Sequence, residues 1–175
     1  MRYALAYGSI SGAITISVLI ATLVTGLPNH AHSELFGYLV MIVALSMIFV
    51  GVKRYRDVEC GGVIRFGRAF LLGLGIALVA ALIYVLGWEF YIAFSGNDFM
   101  TEYSAAVLKG MREHGASPTA IDAQAAKLRE LAVMYKSPLF RLPMTFVEIF
   151  PVGLVIALVS AALLRNPRLL PAVQR

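Results

Sequence analysis

Four runs of this chain are too long and too apolar to be surface helices of a soluble domain, and they decide what it can fold into. Ala4 to Gly26 holds 23 residues without a charge. At about 1.5 Å rise per residue, such a helix crosses a hydrocarbon core of about 30 Å with some tilt. Leu35 to Val52 adds 18 charge-free residues, Ala69 to Phe94 carries Glu89 as its one charge, and Pro138 to Leu164 holds Arg141 and Glu148. The chain is 59% hydrophobic and 14% charged, whereas charged residues make up roughly a quarter of an ordinary soluble domain. The expected fold is all-α, a single domain forming an integral membrane four-helix bundle with spans at 4–26, 35–52, 69–94 and 138–164. The first run is too long for a signal-peptide core and lacks a small-x-small cleavage site, so it is expected to remain a span.

Between the second and third runs lies Val52 to Arg68, VKRYRDVECGGVIRFGR, with five basic residues. It is expected to be a water-facing turn that resists translocation, which puts it on the cytoplasmic side. Leu27 to Glu34, the turn between the first two runs, has no Lys or Arg and falls on the opposite side. Both termini are then expected to be cytoplasmic. The net charge of +5 sits mainly in the flanks of apolar runs, where membrane orientation places it, so nucleic acid is not an expected partner. The lipid bilayer is.

Residues 97–136 form the one extensive polar region, expected on the outer side as an extramembrane helical hairpin between spans three and four. Phe99, Tyr103, Val107 and Met111 recur at helical spacing after Asn97-Asp98, which can cap the first helix, and Gly115 can close it. Ser117-Pro118 suits the start of a second helix, with Ile121, Ala125, Leu128 and Tyr135 on one face. These faces can pack on each other, lie on the outer leaflet, or prolong the neighbouring spans.

Glu148 is the most costly residue in the four runs. It lies ten residues beyond Pro138, about 15 Å along and near the middle of a span, where a charged side chain costs on the order of 3 kcal/mol. It must face protein or a wet cavity, protonated or partnered, which suits either a hydrogen-bond anchor or a proton-binding site. Depth matching nominates Ser17, Tyr84 and Trp88 as partners. Pro151 frees a backbone carbonyl nearby. Small residues recur every four positions at Gly8 and Gly12, at Gly73, Ala77 and Ala81, and at Gly153, Ala157 and Ala161, a pattern that lets helix backbones approach closely. Glu89 is expected near the outer interface, solvated or lightly paired, and Arg141 is expected to snorkel.

Catalytic signatures are absent. Cys60 has no histidine near it in sequence, His114 stands alone, and neither a zinc-protease motif nor a phosphate loop occurs. His30, His32 and Glu34 alternate as metal ligands can in an extended chain, but interfacial polar residues in a turn explain them as well, and neither metal nor cofactor is expected.

The stretches YALAYGSISGAI, FGYLVMIVALSMIFVGVKRYRD, FGRAFLLGLGIAL and FPVGLVIALVSAALL, with GVKRYRD and FPVGL the most particular, resemble a bacterial four-span membrane family of unknown function, the domain numbered four-one-nine-nine. The resemblance implies an integral protein of the bacterial inner membrane and carries no activity or catalytic residue. Two roles are open to such a chain. One is a non-enzymatic accessory protein that associates with itself or with another membrane protein, and the other a small proton-coupled transporter using Glu148.

Overall fold

The computed structural model describes residues 1–25, 34–96 and 98–171. The helices are α1 (Arg2–Thr25), α2 (Glu34–Leu45), α3 (Met47–Glu59), α4 (Phe66–Phe94), α5 (Phe99–Glu113), α6 (Pro118–Tyr135) and α7 (Pro138–Leu164), with no strand among the described residues. Four segments are long and apolar enough to cross a membrane: Arg2–Val24, Gly37–Glu59, Phe66–Phe94 and Pro138–Leu164. Two compact units share these helices. The first comprises Met1–Trp88 with Phe146–Arg175, the second Glu89–Thr145. His30 and His32 lie outside the described residues.

The second span differs from its expected bounds. It is built from α2 and α3 with a break at Ser46, and it runs on through Lys53–Glu59, so that, with Phe66–Arg68 at the start of α4, most of the expected basic turn is helical. The Ser46 hydroxyl donates to the Val43 carbonyl at 2.6 Å. A side chain that competes for a helix carbonyl in this way interrupts the ladder and bends the helix. Beyond Val52 nothing breaks a helix until Gly61-Gly62, and Lys53 pairs with Asp57 one turn on at 2.5 Å. Gly61, at φ 59°, ends the helix in a left-handed conformation open to glycine.

In the first unit α1 and α7 both rest on α4, and the small residues make that possible. A Cβ added at Gly12 would lie 2.5 Å from the Ala80 carbonyl oxygen, and one at Gly8 would lie 2.6 Å from the Val79 Cβ, so α1 rests on α4 backbone to backbone. On another face of α4, a Cβ at Gly73 would meet the Ala157 Cβ at 3.0 Å, and one at Gly153 would meet the Ala77 Cβ at 2.9 Å. Each step of four forward on α4 is matched by four back on α7, which is an antiparallel seam. Ala69, Ala81 and Ala161 are fully buried with them. Close approach of this kind replaces the hydrophobic drive that lipid-facing helices lack. Polar side chains within the spans donate to helix carbonyls, their own or a neighbour's. Ser11 donates to the Ala44 carbonyl at 2.8 Å, and Thr15 and Thr22 donate back to the carbonyls of Ser11 and Val18.

Arg56, expected in water, is wholly buried. Its Nε meets Asp57 at 2.8 Å, its Nη1 donates to the Leu169 carbonyl at 3.0 Å, and its Nη2 donates to the Leu170 carbonyl. A guanidinium presents five donors in a fixed fork, so one residue can hold a carboxylate and two carbonyls together. The segment after α7 is thereby tied to the end of α3. At the same end, Arg2 and the Tyr3 hydroxyl both donate to Glu59.

The second unit holds the hairpin with the adjoining turns of α4 and α7. Asp98 caps α5 by accepting from the Thr101 amide and hydroxyl, and these bonds to the ionised form hold its carboxyl below the usual carboxylate range. Ser117 caps α6 and Pro118 opens it, while Gly115 turns the chain at φ 73°. α5 and α6 pack on each other. Met100, Leu128 and Tyr135 are buried, whereas Tyr103, Val133 and Met134 stay exposed, so the apolar stripes are mostly used within the unit.

Candidate functional site

The first unit brings Glu148 and Tyr84 together on the wall of one cavity. Tyr84 is buried, but Glu148 remains exposed on the side of α7. Between them opens a cavity of about 70 Å³ lined by α1, α2, α4 and α7, with Thr15, Thr22, Tyr84 and Glu148 as its polar residues and Val18, Val40 and Met41 among the apolar ones. Because Thr15 and Thr22 use their protons on their own helix, each hydroxyl oxygen keeps a lone pair for the cavity. The space admits a few waters. It falls far short of the roughly 300 Å³ at which pockets for organic ligands begin.

The other two residues nominated beside Glu148 are placed differently. Trp88 is buried in the first unit but does not line the cavity. Ser17 is exposed and outside it, because at about 100° per residue it points some 200° around α1 from Thr15. Thr15 and Thr22, seven residues apart and so on one face, hold the place that depth alone had assigned to Ser17.

Tyr84 is 18 residues beyond Phe66 and Glu148 is 16 before Leu164, about 27 and 24 Å along their helices, so on the antiparallel pair the two stand at similar levels.

A second polar cluster lies wholly within the second unit, and sequence reasoning had its residues apart. Arg141 grips Glu89 with both ends of its fork, Nε to Oε1 at 2.6 Å and Nη2 to Oε2 at 2.5 Å. Its Nη1 donates to the Tyr135 carbonyl at 3.1 Å, and its guanidinium carbon sits 5.7 Å from the centre of the Tyr135 ring. The side chains are 11% and 24% exposed. Such a clamp fixes geometry as well as charge. Among the described residues no group of His, Cys, Asp and Glu is arranged to hold a metal ion. His114 bonds the Gly110 carbonyl of its own helix through Nδ1.

Helices of this length and apolar character define an all-α membrane protein of four long apolar segments. Residues 6–166 match the family described as "Protein of unknown function (DUF4199)", and the chain belongs to that family. No curated protein and no solved structure matches it.

Proposed function

We propose that the protein is a non-enzymatic component of the bacterial inner membrane that works by association, with a second copy or another membrane protein, through the face of α7 that carries Glu148. The basic ends of α3 and α4 and both termini lie in the cytoplasm, and the hairpin lies outside. One observation carries the proposal: Glu148 is exposed on the flank of an apolar helix beside a cavity too small for an organic substrate. A charged side chain facing lipid costs on the order of 3 kcal/mol at the centre of a span and less toward its ends. Covering it with protein removes that cost and keeps it on the cavity it shares with Tyr84. Val155 and Val159 are exposed on the same helix, and Val155, two turns from Glu148, extends the same face.

The test is disulfide trapping in native membranes of a Val155→Cys protein with Cys60 replaced by serine. A covalent adduct, to itself or to a partner, is the expected result, with Glu148→Gln preserving it and Val159→Trp, on the same face, abolishing it. A protein that remains uncoupled at this face under all conditions would refute the proposal.

The water-sized cavity supports a second reading, a proton-coupled transporter in which Glu148 loads and releases the proton. Reconstituted protein would then move protons or a coupled solute across vesicles, and Glu148→Gln would stop it.

A further inference from the structure

On the first unit, an open groove of about 590 Å³ runs between α1 and α3, away from the Glu148 cavity. Its walls change character along its length. Ile10 and Met47 stand at one end, Tyr7 and Val50 follow, and Arg2 and Arg54 close the other. Met47, Val50 and Arg54 are spaced by three and four on α3, so they share a face about 10 Å long. Tyr3, Tyr7 and Ile10 do the same on α1, whose direction opposes that of α3: Ser11 bonds Ala44, and Arg2 bonds Glu59.

The charges at the closed end do not balance. Arg2 is taken up by Glu59 and Lys53 by Asp57, while Arg54 has neither an ion pair nor a hydrogen bond among the described residues. One exposed guanidinium is therefore left over at the head of an apolar channel on the flank of two apolar helices. Water satisfies a lone arginine but not the channel, and a detergent-like chain fills the channel but not the arginine. A molecule with an anionic phosphate at one end and a hydrocarbon chain at the other satisfies both.

We propose that the α1–α3 groove binds one anionic phospholipid, its phosphate on Arg54 beside Arg2 and the start of one acyl chain along Val50, Met47 and Ile10. The site is separate from the face assigned to association and does not depend on it. Basic pockets between spans recognise anionic headgroups in this way, and one arginine near a membrane surface adds about 1 kcal/mol, which is about a fivefold preference.

The full-length protein released from detergent micelles into a native mass spectrometer, after titration with phosphatidylglycerol or phosphatidylcholine of identical chains, reads this preference directly. The wild type is expected to take up one phosphatidylglycerol about fivefold more tightly than phosphatidylcholine. Arg54→Gln should bring the ratio close to one, weakening phosphatidylglycerol more than phosphatidylcholine, and Val50→Trp, which fills the channel, should weaken both lipids. Arg65→Gln, at the start of α4 and outside the groove, should leave the ratio alone. Retention of the preference in Arg54→Gln, its equal loss in Arg65→Gln, or full displacement of the lipid by inorganic phosphate would each overturn the proposal.

Discussion

The Glu89–Arg141 clamp yields the sharpest energetic expectation. Replacing Glu89 with glutamine keeps the shape and one acceptor oxygen but removes the charge, leaving the guanidinium with one of its two bonds to that side chain. Breaking a fully buried pair by removing one partner costs 3–5 kcal/mol. Because a quarter of the Glu89 side chain is open, solvent screens part of this, and about 2 kcal/mol is expected. Arg141→Gln loses in addition the bond to the Tyr135 carbonyl and the contact with its ring, roughly 1 kcal/mol more. The double variant leaves no uncompensated charge, so it should cost about 3 kcal/mol rather than the sum of about 5, a coupling of about 2 kcal/mol. The chain has one tryptophan, Trp88, adjacent to Glu89, so its fluorescence during reversible unfolding in mixed detergent micelles follows all four proteins. A cost for Glu89→Gln below about 0.5 kcal/mol, or a coupling near zero, would mean that water satisfies both groups as well as they satisfy each other.

Two further outcomes test the packing and the hairpin. Gly12→Ala places a methyl group 2.5 Å from the Ala80 carbonyl oxygen and should destabilise by about 1–3 kcal/mol through forced separation of α1 and α4, whereas Gly110→Ala, with nothing within 4 Å, should stabilise α5 by up to about 1 kcal/mol; the same unfolding assay separates them. The Asp98 carboxyl is held below its ordinary value by Thr101, so its capping is complete above about pH 4 and is lost as pH falls through the lower folded value. The amide resonance of Thr101 should report that loss in wild type and show no such step in Asp98→Asn.

Length and the absence of charge made the spans legible, and the bounds of α7 follow from Pro138 and the charge at Arg165. The end of the second span did not follow the same rule. Basic residues suggest where a helix leaves the membrane, but Lys and Arg carry long apolar stems and tolerate a helix end as readily as a turn. Only Gly61-Gly62 changes the backbone preference there. Burial of Arg56 was invisible in sequence because its acceptors are backbone carbonyls more than a hundred residues away, and backbone atoms leave no mark in a side-chain pattern. The Glu89–Arg141 pair, by contrast, had a signal. Stepping by fours along the small residues from Ala77 and Gly153 arrives at Glu89 on one helix and Arg141 on the other. Depth alone allows Glu89 to be solvated or lightly paired and leaves Arg141 to snorkel, because depth does not say which charge on another helix it meets. For Glu148, depth singled out Tyr84 but could not choose among the residues of α1, since rotation about a helix decides which of Thr15, Ser17 and Thr22 faces inward.

The tie between Arg56 and the carbonyls of Leu169 and Leu170 also orders events during synthesis. The arginine leaves the ribosome 113 and 114 residues ahead of those acceptors, so it spends most of translation without the bonds that justify its burial. The end of α3 can settle only after the last helix has been inserted and the segment behind it has been released. A chain stopped at Leu164 would keep every membrane-crossing segment and still leave Arg56 with Asp57 alone of its three partners.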